Sequence, residues 1–239
     1  MVTVPLSLCI PTYYRWMFLQ KNLPKYLENP YIHEIVICDE TGDDIREIEK
    51  VFGDHPKLKL FTNDTRLGPF LNKRKAVTHA TNEWICVMDS DNFAPLSYFE
   101  AWDAFVQKEG IETKVIYAPS RTIPQDNHPG FDYRHFMGQT IDASTCKEMY
   151  AKEKGDCLFN TGNYIVHKSL YTDSTEEELH IAQNIVEDVL YQNHLFFTKA
   201  GAKLVCVPDM EYNHIVHPGS FYTNNCNTSQ SKLVLRYFQ

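Results

Sequence analysis

Residues 84–92 read Trp-Ile-Cys-Val-Met-Asp-Ser-Asp-Asn, an apolar run that stops on two carboxylates separated by one residue. Residues 84–88 read as a strand, bounded on the far side by the polar Thr81-Asn82-Glu83. Once the chain leaves that strand, Asp89 and Asp91 can both turn toward one hard cation. Oxygen ligands of this kind suit Mg²⁺ or Mn²⁺, which neutralise phosphate charge and assist departure of a nucleoside diphosphate. A solvated strand end or a turn cap uses the same residues, so the surroundings must decide.

Upstream, Leu6 to Pro11 reads as a strand, Leu19 to Leu27 as a helix and Glu34 to Cys38 as a strand. Ile45 to Phe52 follows as helix, Leu58 to Thr62 as strand and Leu71 to Ala80 as helix. Strands separated by helices of this length predict parallel pairing through right-handed crossovers. The class is therefore α/β, with ligands expected beyond the carboxyl ends of the strands. Downstream the rhythm weakens. Val115 to Pro119 reads as a strand and Thr122 to Gly138 as a functional or mobile loop. A long helix is expected from about Thr175 to Ala200, opened by a capping box of Ser174 and Glu177 and closed by Gly201. Lys203 to Val207 reads as a further strand. With no repeat, linker or low-complexity tract, residues 1–92 and 93–239 are expected to share one sheet as one continuous domain.

Composition sets limits on function. A chain of 239 residues with 43% hydrophobic and 23% charged residues can bury a core unaided. A net charge of −8 disfavours nucleic acid and anionic membrane, which both require clustered Lys and Arg. No run approaches the roughly 20 apolar residues that span a bilayer, so no transmembrane segment is expected. The opening MVTVPLSLCIPTYY reads as a first strand rather than a secretion signal. Seven cysteines without CxxC spacing read as reduced core residues, and together these features predict a cytoplasmic location.

Ile10-Pro11-Thr12-Tyr13, then Ile37-Cys38-Asp39-Glu40-Thr41-Gly42-Asp43, then Asp89-Ser90-Asp91 resemble, in order and spacing, the donor half of family 2 glycosyltransferases. The resemblance implies a GT-A type fold, a Rossmann-like mixed but mostly parallel central sheet flanked by helices. It implies a nucleotide-sugar binding half at 1–92 and a half at 93–239 for the acceptor and catalytic base. It also implies metal-dependent, inverting transfer from a UDP-sugar, with Mn²⁺ or Mg²⁺, to a hydroxyl of a glycan or glycoconjugate. The small size resembles the soluble glycosyltransferases of large algal viruses.

Residue by residue, the resemblance places Pro11, Thr12, Tyr13, Arg15 and Asp39 around the nucleoside, and Asp89, Ser90 and Asp91 at the metal-bound diphosphate. For Asp39 there is an independent reason, since a carboxylate accepts hydrogen bonds from uracil N3–H or ribose hydroxyls; a plain turn acid is the other reading. Where the family carries glycine, a small residue, Arg and Asn, this chain has Gly68 and then Asn72-Lys73-Arg74. Lys73 or Arg74 then reaches a phosphate or the nucleoside, or forms a solvated basic face. Leu158 to Asn163 fits the family's glycine-containing loop, with Asn163 near the donor. Val186-Glu187-Asp188-Val189-Leu190 looks like its acidic pair. Adjacent helix positions diverge by about 100°, so one of the two serves as base. The resemblance selects Asp188, with Glu187 in support. A late His completes the cation's shell in many such enzymes, and His214 is preferred over His217.

Two other functions compete. A sugar-phosphate nucleotidyltransferase needs a Gly-rich, Arg-containing loop after the first strand, where this chain has Pro11-Thr12-Tyr13-Tyr14-Arg15 and no glycine. A non-catalytic carbohydrate-binding relic would use aromatics such as Tyr13, Tyr14, Trp16, Tyr133 and Phe136 for stacking.

Overall fold

Four strands and three helices alternate through the first part of the chain: β1 (Leu6–Thr12), α1 (Trp16–Glu28), β2 (Ile32–Asp39), α2 (Asp43–Phe52), β3 (Leu58–Thr62), α3 (Gly68–His79) and β4 (Trp84–Val87). They belong to a computed structural model that describes residues 4–125, 129–182, 185–220 and 235–238. β1 lies between β2 and β4 and pairs with both in parallel, and β3 adds to β2 in the same sense. The strand-helix rhythm of the sequence is thus realised as parallel crossovers.

The remainder supplies α4 (Leu96–Glu109), β5 (Val115–Ile123), α5 (Cys146–Tyr150), α6 (Gly155–Phe159), β6 (Ile165–His167), α7 (Glu176–Ala182), α8 (Asp188–Thr198) and β7 (Lys203–Asn213). The seven strands form one sheet in the order β3-β2-β1-β4-β6-β5-β7. β6 runs antiparallel to β4 and β5, whereas β5 and β7 are parallel. The sheet is therefore mixed and mostly parallel, as expected.

Strand alternation divides the core into two layers. Leu8, Ile10, Ile35 and Ile37 pack with Leu19 and Leu23 of α1, Ile48 of α2 and Trp102 of α4. Cys9, Val36 and Cys38 face the opposite way, onto Ala76 and Val77 of α3 and a layer holding Phe159 and Phe196. The thiols of Cys9, Cys38, Cys86, Cys146, Cys157 and Cys206 are all free, and only Cys157 is not fully buried; Cys226 lies outside the described residues. Among those residues no helix is long and apolar enough to cross a membrane.

The later half departs from expectation at three places. The helix expected from Thr175 to Ala200 is two helices, α7 and α8, and residues 183–184 between them lie outside the described residues. Its capping box sits one residue later. The Thr175 N–H donates to Glu178 Oε2 at 2.8 Å, and the Glu178 N–H donates to Thr175 Oγ1 at 3.2 Å. The stretch Thr122 to Gly138 is not simply a loop. β5 runs on to Ile123, a bridge joins Arg121 to Asp132, and a short 3₁₀ turn spans Arg134–Phe136. Tyr133 and Phe136 are buried by it, so Phe136 packs the core rather than facing a sugar. Finally, α4 is a full helix that the sequence reading did not anticipate, and Tyr98, Phe99 and Trp102 are its buried face.

Candidate functional site

The carboxyl ends of β1 and β4 open into a cleft of about 780 Å³, as the crossover topology requires. Its floor is the turn after β4. The Asp89 N–H donates to Asn163 Oδ1 at 3.0 Å, and the Asn163 carbonyl accepts from the Tyr98 hydroxyl at 2.8 Å. Asn92 Oδ1 accepts from the Ile215 N–H at 2.9 Å, which draws the segment after β7 across the turn. Asp89, Ser90 and Asp91 are thereby held from both halves of the chain, and all three line the cleft.

Each aspartate faces basic side chains. Asp91 Oδ2 lies 2.9 Å from His217 Nε2 and 3.9 Å from Arg15 Nε. Burial and the neighbouring Asp89 nevertheless push its carboxyl above the ordinary range, against the pull of His217 and Arg15. Asp89 Oδ1 lies 2.9 Å from Lys73 Nζ, and the same ammonium lies 2.7 Å from Asp188 Oδ2. Burial opposes the charge on Lys73, but Asp188 and Asp89 outweigh it and raise its pKa well beyond that of a free lysine. The Asp188 carboxyl is itself pushed up by burial, with Lys73 pulling it back down.

The break before α8 places the acidic pair. Glu187 stands at the N-cap with φ −84° and ψ 51°, outside the helix, and Asp188 is its first residue. The two side chains are therefore separated by a change of backbone conformation, not by helical rotation. Both line the cleft, and the buried Glu187 Oε2 has no hydrogen-bond partner among the described residues.

Several of the residues expected at the donor stand in the cleft wall. Pro11, Thr12, Tyr13, Arg15, Gly68, Lys73 and Asn163 all line the cleft. Arg15 also fastens the entrance: its guanidinium donates to the Gly219 carbonyl at 2.6 Å, and its backbone N–H donates to Asp44 at 2.9 Å. The Thr12 hydroxyl donates to Asp44 as well.

Three placements differ. Asp39 is fully buried and does not line the cleft. Its Oδ1 accepts from the Thr41 N–H at 3.0 Å and its Oδ2 from the Ile45 N–H at 3.2 Å, so it serves the turn into α2. The next residue, Glu40, faces the cleft and accepts from the Leu67 N–H at 2.6 Å. Arg74 also lies outside the cleft lining, where it donates to Gln192 Oε1 at 2.9 Å and to the Thr172 carbonyl, binding α3 to α8. Of the two histidines, His217 meets Asp91, while His214 lines the cleft with its ring edge-on to Phe131 and Tyr212. Glu40 and Arg66 were not anticipated as cleft residues. Arg66 stands with its guanidinium 4.5 Å from the Tyr13 ring centre. Glu40 had a signal in the sequence, as the second acid of the Asp39-Glu40 pair; Arg66 had none.

Among the described residues no group of three or more His, Cys, Asp or Glu side chains forms a metal cage. The donor set still fits a hard cation of the Mg²⁺ type, which takes one or two carboxylates and completes its shell with substrate phosphates and water.

The model of Glycosyl transferase family 2 matches residues 7–167. Among solved structures, residues 1–349 of S. aureus TarS in complex with UDP-GlcNAc superpose with a TM-score of 0.65 at 15% identity, over 98% of this chain and 65% of that one. The same protein in complex with UDP gives a TM-score of 0.61 at 16% identity, over 98% and 64% of the two chains. GalNAc-T7 with UDP, GalNAc and Mn²⁺ gives 0.60 at 15% identity, over 98% and 48%. The chain thus spans about 65% of the TarS chain it matches. No curated protein matches it in sequence.

Proposed function

The chain belongs to glycosyl transferase family 2 and has the GT-A fold, and from that premise we propose that it transfers a sugar from a UDP-sugar to an acceptor hydroxyl, with inversion and with Mn²⁺ or Mg²⁺. The observation that carries this reading is one cleft in which Asp89 and Asp188, 99 residues apart in sequence (188 − 89), both lie within 3 Å of the Lys73 ammonium. One acid belongs to the strand end suited to a diphosphate, and the other to a helix start suited to a base. The solved neighbours that hold UDP-GlcNAc, UDP, or UDP with Mn²⁺ support the donor class and the cation.

Residues 1–92 form the donor half. Pro11, Thr12, Tyr13, Arg15, Glu40 and Arg66 surround the nucleoside, while Gly68 opens α3 beside it with φ +78°. Asp89, Asp91 and His217 would hold the divalent cation, which supplies charge neutralisation of the departing diphosphate. Ser90 and Asn163 fix the strand end. Residues 93–239 form the acceptor half, where Asp188 accepts the proton of the acceptor hydroxyl as its oxygen attacks the anomeric carbon opposite the leaving group. Glu187, with one carboxylate oxygen unpartnered among the described residues, is placed to accept a hydrogen bond from a second acceptor hydroxyl. Aromatic Tyr150 and Phe131 line the same cleft and suit a glycan ring.

A donor screen tests the reading. UDP-sugars with Mn²⁺ should be hydrolysed slowly without acceptor and should raise the melting temperature more than either component alone. A larger shift with GDP would remove the UDP assignment, and equal shifts with and without metal would remove the cation.

A further inference from the structure

Among the described residues, Lys73 is the one cation that contacts both Asp89 and Asp188. We propose that Lys73 is a positioning residue that seats Asp188 against Asp89 in the donor-free protein and gives up Asp89 to the divalent cation when metal and nucleoside diphosphate bind. The inference rests on the reading of the cleft given above and adds a coupling between its two halves.

Three observations carry it. First, the ammonium lies 2.9 Å from Asp89 Oδ1 and 2.7 Å from Asp188 Oδ2, and among the described residues it is the only cation within 4 Å of Asp89. His217 and Arg15 attend Asp91 instead. A divalent cation at Asp89 would therefore meet a positive charge already seated on the same carboxylate, and like charges a few ångströms apart repel strongly in a partly buried site. Second, the lysine cannot leave the neighbourhood. It sits in the middle of α3, whose next residue, Arg74, binds Gln192 of α8 and the Thr172 carbonyl. A Cβ at Gly162 would lie 3.8 Å from Nζ, so the loop before β6 closes over it. Third, Asp188 is buried, and its ion pair with Lys73, beside a hydrogen bond from the Val189 N–H, orients its carboxylate across the gap between α3 and α8. Release from Asp89 leaves Lys73 with Asp188 alone, so donor binding and the seat of the base are linked.

The linkage predicts opposite shifts in Mn²⁺ affinity, measured by calorimetry on the full chain with and without UDP. Lys73→Met removes the competing charge and should tighten Mn²⁺ binding about five-fold or more. Asp188→Asn leaves the ammonium to Asp89 alone and should weaken it by a similar factor. Lys73→Arg keeps a cation and should return Mn²⁺ affinity toward that of the parent. In turnover, Lys73→Met should lose kcat while the KM for the donor stays level or falls, a split that general loosening of the fold does not produce. If Lys73→Met does not fold, the charge-balanced pair Lys73→Met with Asp188→Asn replaces it and should still bind Mn²⁺ more tightly than Asp188→Asn alone. Shifts in the same direction for Lys73→Met and Asp188→Asn, or no shift in either, would overturn the proposal. A parent protein that binds neither Mn²⁺ nor UDP would instead sink the metal-dependent transferase reading itself, and this coupling with it.

Discussion

The two walls of the cleft are built in different ways. On the wall proposed for the donor, side chains come from the ends of the neighbouring parallel strands β2, β1 and β4, where each strand's last residues reach the ligand side because crossover topology sends them there. On the wall proposed for the acceptor they come from irregular places: the break before α8, the segment after β7 and the loop before β6, a strand of three residues inserted antiparallel into the sheet. A strand end is specified locally by an apolar run and a polar stop. A helix break or a loop across a cleft is specified by what it packs against. The donor wall is therefore the more regular of the two, and the acceptor wall the more dependent on long-range contacts.

Substitution of the proposed base, Asp188, tests that division most severely. Asp188→Asn should lower transfer by about 10²–10⁴-fold while UDP still binds at saturating Mn²⁺, as measured by steady-state rates and calorimetry. Near-parent turnover there, with collapse in Glu187→Gln, would move the base to the neighbouring acid. On the donor wall, Asp91→Ala should remove the Mn²⁺-dependent part of the UDP melting shift, a contribution of about 2.7 kcal/mol when ligand stands at about 100 times its Kd. A variant that responds like the parent would show that the strand-end acids do not hold metal.

Gly162→Ala strikes the seam between the walls. The new Cβ would stand 2.7 Å from Val189 Cγ2, and overpacking of this kind costs about 1–3 kcal/mol in chemical unfolding. The pH dependence is the next smaller effect. Burial raises the Asp188 pKa, and a base works ionised, so kcat/KM should fall about tenfold per pH unit below a value lying above that of a free aspartate. An acidic limb at or below the free value would mean that another group is titrating. The smallest test compares neighbours in one turn. Asp39→Asn should cost about 1 kcal/mol of stability with little change in donor KM, since its carboxylate serves the amides of Thr41 and Ile45. Glu40→Gln should do the reverse, because Glu40 faces the cleft.

Asp39 and Glu40 also show why part of the site escaped the sequence. Both are acids at the end of one strand, and nothing in their order says which carboxylate turns inward to its own amides. His214 and His217 pose the same difficulty. Either imidazole can serve an acid of this kind, and the tertiary contacts that set the course of that segment, Ile215 N–H to Asn92 and Arg15 to the Gly219 carbonyl, bring His217 onto Asp91. The helix α4 is a different case. Its buried Tyr98, Phe99, Trp102 and Val106 follow helical spacing, so this element was legible and was passed over. The single helix expected over 175–200 reflects the reverse error, since apolar residues run through both α7 and α8 and conceal the break that turns the buried Glu187 and Asp188 to the cleft.

What the sequence determined by itself was the alternation of strand and helix up to Asn92, the parallel core it implies, and the placing of Asp89 and Asp91 at a strand's carboxyl end. Each of these rests on a short-range pattern of apolar and polar residues whose period is set by the backbone. The tertiary structure alone decided that Lys73 would join Asp89 to Asp188, that Arg74 would leave the cleft, and that His217 would stand before Asp91. Apart from the pair of Lys73 with Asp89, those contacts link residues 115 to 126 positions apart, and their partners are chosen by packing between helices and by the electrostatics of a buried cleft, neither of which leaves a period in the chain.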